Sequence, residues 1–90
     1  MDLKECRARI DEIDTELVKL LAERLRITED VAKAKQQSGK PIFDPVREQE
    51  KIEQVTQLVD SDLETELKKL YHYIMDVSKE HQKMILGGNG

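Results

Sequence analysis

Ninety residues form one domain at most, and a chain this short buries only about 60% of its unfolded surface, so a lone monomer is marginal. Hydrophobic and charged residues each make up 38% of the chain and aromatics 3%, with no Trp; no run approaches the ~18 apolar residues of a membrane span. Basic residues number 15 against 19 acidic, a net charge of −4, which excludes the basic excess of a general nucleic-acid binder.

The pattern predicts an all-α chain of three helices. The first runs from about Leu3 to about Ser38. Cys6, Ile10, Ile13, Leu17, Leu20, Ile27, Val31 and Ala34 recur at steps of three and four, with one gap. That is a helical stripe sustained over several heptads. Gly39 suits the residue just past the helix end, and Pro41 would stop the helix in any case. Gln36 to Phe43 reads as the only substantial loop. It leads into Asp44-Pro45, an N-cap followed by Pro at the first helical position. The second helix is expected from Pro45 to about Leu58, burying Ile52, Val55 and Val59. Ser61 to Glu64 reads as a capping box with Ser61 as N-cap. The third helix then runs to about Ile85, with Leu63, Leu67, Leu70, Ile74, Val77 and Ile85 inward. The helical domain is expected over residues 1–86, with 87–90 as a flexible Gly-rich tail.

Met1-Asp2-Leu3-Lys4-Glu5-Cys6 has no apolar core of a secretory signal. Cys6 is the only cysteine and cannot form an internal disulfide, which fits a reducing compartment and a cytoplasmic location. One Cys and two distant His lack zinc-site spacing, and no Gly-rich phosphate loop is present. Neither a metal nor a cofactor is expected.

The first helix is too long for its own domain. About 36 residues at 1.5 Å each span roughly 54 Å. A compact chain of this size has a radius of gyration near 12 Å and a diameter of about 30 Å. The apolar stripe continues through Val31 and Ala34, so the far end also needs cover. A homodimer with the long helices packed together satisfies this best.

Several polar residues interrupt the apolar faces. Arg24 fills the gap between Leu20 and Ile27, Lys35 falls on the same face, and Arg7 lies at its edge. On the second helix Glu48 precedes Ile52 by one turn, with Arg47 beside it. On the third, Ser78 and His81 interrupt the stripe, and Gln82 lies one turn past Ser78. Each has a plain structural explanation alone. Arg7 and Arg47 can snorkel to solvent. Arg24 can pair with Glu48 as a buried ion pair. Lys35 can reach past the helix end, and Asp44 is explained as an N-cap. Ser78 can bond its own helix, Gln82 can face solvent, His81 can be a packing residue, and Cys6 acts as a small hydrophobe. Together they gather cations on inward faces of three helices. Two carboxylates cannot balance four cations, and a small dianionic ligand would. No Ser-His-Asp or Cys-His arrangement suggests a covalent mechanism.

The ordered set of these segments resembles the all-helical (AroQ-class) chorismate mutases. The residues that carry the likeness are Arg7-Ala8-Arg9-Ile10-Asp11-Glu12-Ile13-Asp14, Leu20-Leu21-Ala22-Glu23-Arg24 and Lys33-Ala34-Lys35. Pro41-Ile42-Phe43-Asp44-Pro45-Val46-Arg47-Glu48 follows, then Ser78 and Gln82. The likeness extends from about Leu3 to Gln82. It implies an intertwined homodimer of three-helix chains with two equivalent sites. Arg7 matches the arginine donated across the dimer, and Arg24 and Arg47 match cations that hold carboxylates. Lys35 and Gln82 match the donors to the substrate's ether oxygen. Asp44 and Glu48 match residues near its hydroxyl, Ser78 matches a carboxylate contact, and Val31 and Met75 line the ring.

The implied reaction is the unimolecular Claisen rearrangement of chorismate to prephenate in phenylalanine and tyrosine biosynthesis. It needs no nucleophile, metal, cofactor or obligatory proton transfer. A protein accelerates it by selecting the compact conformer and by stabilising charge that develops on the ether oxygen. Two other readings stay open at this point: an isochorismate pyruvate-lyase on the same fold, and a non-catalytic helical dimerisation or regulatory module. No nucleic-acid or membrane partner is expected.

Overall fold

A computed structural model describes residues 1–87; the Gly-rich tail expected at 87–90 lies outside the described residues apart from Gly87. Three α-helices and one 3₁₀ turn follow in order: α1 Leu3–Ser38, α2 Pro45–Thr56, the turn Ser61–Leu63, and α3 Glu64–Ile85. No strand occurs among the described residues.

Local chemistry sets the boundaries. The Asp2 side chain accepts the Glu5 backbone N–H at 2.8 Å and caps α1. At the other end Gly39 takes φ 68°, a left-handed conformation that glycine adopts without a Cβ penalty. Its N–H donates to the Gln36 carbonyl and the Lys40 N–H to the Lys35 carbonyl, the paired bonds of a Schellman motif. Asp44 caps α2 by accepting the Arg47 N–H at 3.0 Å, with Pro45 at the start of the helix. Helix α2 ends at Thr56 rather than the expected Leu58, because the Leu58 N–H turns back to the Val55 carbonyl.

The expected capping box at Ser61 does not form. The extended residue is Asp60, at φ −66° and ψ 150°, and Ser61 already lies inside the 3₁₀ turn that precedes α3. An N-cap needs extended backbone, so Ser61 is one residue too late.

Helix α3 packs against both α1 and α2. The buried side chains form a narrow seam of Thr28 and Ala32 on α1, Ile52, Val55 and Thr56 on α2, and Met75, Ser78 and Gln82 on α3. The α1 part of this seam corrects the expected stripe. Leu21 and Leu25 are half-buried and Thr28 and Ala32 buried, a line at steps of four, three and four. It lies one residue past Leu20, Ile27 and Val31, which is about 100° around the helix. Ile10, Ile13, Leu17, Leu20 and Ile27 are therefore exposed, at 47–61% of their surface. The physical reason is that α3 is shorter than α1 and covers a different face of it. Leu63 in the 3₁₀ turn and Leu70 and Ile85 on α3 are likewise exposed rather than inward.

The chain measures 52 × 25 × 17 Å with a radius of gyration of 16.0 Å. A compact domain of this length would have about 12 Å, so α1 does extend beyond its own core. No helix among the described residues is long and apolar enough to cross a membrane.

Candidate active site

One cleft of about 290 Å³ opens where α1, α2, the α1–α2 loop and α3 meet. Helix α1 contributes Arg24, Ile27, Thr28, Val31 and Lys35, which share a face at helical spacing. The loop contributes Ile42 and Asp44, and α2 contributes Arg47, Glu48 and Lys51. Met75, Ser78, Lys79 and Gln82 come from α3.

A chain of hydrogen bonds orders the α1–α3 wall. Arg24 Nη1 donates to Ser78 Oγ at 2.9 Å, and that hydroxyl donates onward to the Ile74 carbonyl at 2.8 Å. The Arg24 guanidinium also lies 5.9 Å from the Tyr71 ring centroid, within cation–π reach. Lys35 Nζ donates to the Ile42 carbonyl at 2.7 Å, tying the loop to the end of α1. An ammonium has three donors, so this bond leaves two for other partners. Gln82 is only 6% exposed, and its Oε1 is buried without a hydrogen-bond partner. Buried polar atoms are nearly always paired, so an unpaired amide oxygen on a residue lining a cleft leaves hydrogen-bonding capacity for a ligand.

The electrostatics are one-sided. Five cations line the cleft (Arg24, Lys35, Arg47, Lys51 and Lys79) against two carboxylates, Asp44 and Glu48. Glu48 Oε2 pairs with Lys79 Nζ at 3.0 Å, so the Arg24–Glu48 ion pair that the sequence allowed is not formed. Burial, and then the nearby Arg47 and Arg24 charges, push Lys51 below the ordinary lysine value. A cleft in which cations crowd each other attracts anions.

Arg24, Lys35, Asp44, Arg47, Glu48, Ser78 and Gln82 thus face one cleft, with Val31 and Met75 in its apolar wall. Arg7 does not. It is exposed and lies about 26 Å before Arg24 along the same helix. The plain surface explanation fails for the buried Gln82. The packing explanation holds for His81, which is half-buried outside the cleft and bonds Glu29 Oε2 at 2.7 Å. Hydrogen bonds from His81 and Arg26 hold the Glu29 carboxyl below its usual range. Lys51 and Lys79 were missed in the sequence. Lys51 carried a signal in its spacing, one turn after Arg47; Lys79, next to Ser78, carried none that set it apart from a solvated lysine.

Residues 6–83 match the family described as chorismate mutase type II. The chain belongs to that family. A chorismate mutase from Methanocaldococcus jannaschii is 37% identical over 89 residues, covering 93% of this chain and 87% of the relative. The T-protein of Haemophilus influenzae is 48% identical over 46 residues, 51% of this chain and 12% of that protein. A bifunctional chorismate mutase/prephenate dehydratase from Aquifex aeolicus is 39% identical over 57 residues, 63% of this chain and 16% of that protein. No solved structure matches the chain. Within the chorismate mutase family match lie all the cleft residues and Arg7.

Proposed function

We propose that this cleft converts chorismate to prephenate, with the chain working as a homodimer. The observation that carries the reading is the joint placement of Arg24, Lys35, Arg47 and Gln82, with its unpaired amide oxygen, around one small cleft, in a chorismate mutase chain. Arg24 and Arg47 hold the two carboxylates of the substrate, with Ser78 as a further carboxylate contact. Binding both at once favours the folded conformer in which the reacting carbons approach. Lys35 and Gln82 donate to the ether oxygen. A half-turn of the Gln82 amide exchanges its oxygen and nitrogen, so the same buried position can present a donor. As the C–O bond breaks, both donors stabilise the negative charge growing on oxygen. Asp44 and Glu48 take the hydroxyl, and Val31 and Met75 pack against the ring.

The exposed stripe Ile10, Ile13, Leu17, Leu20 and Ile27 supports the second copy. Pairing of the long helices would cover it and carry the partner subunit's Arg7 towards this cleft as a further carboxylate contact. The lone Cys6 suits a reducing compartment such as the cytoplasm. The helical domain is assigned residues 1–86.

The test is to mix the purified protein with chorismate, follow its loss and identify the product. Prephenate is expected without added metal or cofactor. Chorismate left unchanged at micromolar protein would overturn the reading.

A further inference from the structure

Lys79 lines the cleft but differs from its other cations. Arg24, Lys35 and Lys51 each donate to a neutral acceptor: the Ser78 hydroxyl, the Ile42 carbonyl and the Gln54 amide oxygen. Lys79 bridges two carboxylates instead. Its Nζ lies 3.0 Å from Glu48 Oε2 on α2 and 3.4 Å from Asp76 Oδ1 on its own helix. The same ammonium sits 4.7 Å from the Phe43 ring centroid, at cation–π distance. The Lys79 and Glu48 side chains are 21% and 22% exposed, whereas Asp76 is 63% exposed. Glu48 is therefore the less solvent-screened partner. The Glu48 carboxylate, helped by Asp76, outweighs burial and holds the Lys79 ammonium above the ordinary lysine value. It stays charged through the physiological range.

Glu48 has two conflicting demands. As the acceptor for a substrate hydroxyl it must present a carboxylate oxygen. As a negative charge in a cleft built for a dianion it repels the ligand it is meant to hold. A cation on one oxygen resolves the conflict: it neutralises the charge and fixes the group, while the second oxygen keeps its acceptor capacity.

We infer that Lys79 is a positioning residue that holds Glu48 against α3 and offsets its charge, so that Glu48 accepts the substrate hydroxyl without repelling the substrate carboxylates. The inference rests on the chorismate mutase reading of the cleft.

A double-mutant cycle separates this role from two others, direct attraction of the substrate and simple fold stabilisation. The proteins are wild type, Lys79→Met, Glu48→Gln and the double variant, each assayed for kcat and KM with chorismate and for thermal stability. Lys79→Met should raise KM about tenfold with a much smaller change in kcat. That is less than the cost of breaking a fully desolvated pair, because a fifth of each side chain meets water. In the Glu48→Gln background the same change should leave KM within about twofold, since no charge remains to offset. Lys79→Arg should behave like wild type. An equal rise in KM in both backgrounds would mean that Lys79 acts on the substrate directly and would overturn the inference. A fall in melting temperature with KM unchanged would overturn it equally, in favour of a structural pair. If Lys79→Met does not fold, Lys79→Gln carries the same comparison. Wild type is assayed first: without prephenate from it, the reading of the cleft fails, and the inference with it, whereas an active wild type with an additive cycle sinks the inference alone.

Discussion

Lys35→Ala separates a catalytic lysine from a loop tether: the structure shows the tether, and the proposed reading of the cleft adds the catalytic duty. Its bond to the Ile42 carbonyl at 2.7 Å holds the α1–α2 loop. A hydrogen bond from a charged group contributes about 1.5–3 kcal/mol when shielded. Lys35 is only half-buried, so about 1 kcal/mol is the better figure. For a domain of this size that lowers the melting temperature by about 4–8 °C. The proposed catalytic duty is larger. Loss of one preorganised donor to a developing oxyanion costs about 2.7–4 kcal/mol, or roughly 10²–10³ in kcat. The two effects come apart in a chorismate consumption assay run well below the variant's melting temperature, where nearly all molecules are folded. There, kcat should still be down by roughly 10²–10³. A Lys35→Ala protein whose kcat at that temperature is within about tenfold of wild type would refute the donor role and leave only the tether.

The exposed α1 stripe predicts that folding and association are coupled, so the melting temperature should rise with protein concentration; a well-folded monomer at micromolar concentration by sedimentation would exclude the homodimer. Mixed dimers of an Arg7→Ala chain with a Lys35→Ala chain should regain one intact site, and mixtures as inactive as either parent would argue against a site shared between chains. Gln82→Glu replaces a buried neutral amide with an acceptor that repels the developing charge when ionised. Its activity should therefore rise as pH falls until unfolding intervenes, and wild-type activity at pH 8 would show that Gln82 does not touch the reacting oxygen.

The helix boundaries were legible because their signals are local. Gly39 and the Asp44-Pro45 pair act through bonds to residues within a few positions. Ser61 misled because the capping-box pattern says nothing of which neighbour takes the extended conformation, and Asp60 took it. The α1 stripe was legible as apolar but not as to what it faces. Periodicity finds a face, and only tertiary packing shows that α3 covers the Leu21–Ala32 line instead. In the cleft, Arg24, Glu48 and Gln82 stood out as polar residues at apolar positions. Lys79 did not, since a lysine flanking Ser78 looks like any solvated side chain until Glu48 is seen across from it on α2. Pairings between distant elements, such as Arg24 with Ser78 rather than Glu48, depend on how α3 is rotated, which no local pattern encodes.

Asp44 carries a consequence for engineering. Its Oδ1 caps α2 through the Arg47 N–H, while the residue also lines the cationic cleft. Asparagine caps a helix about as well as aspartate. Asp44→Asn would thus keep the hydrogen bond that starts α2 while deleting one negative charge beside Arg47 and Lys51. The position works as a dial on the local electric field that is decoupled from the helix it begins, a place where ligand preference can drift while the scaffold stays intact.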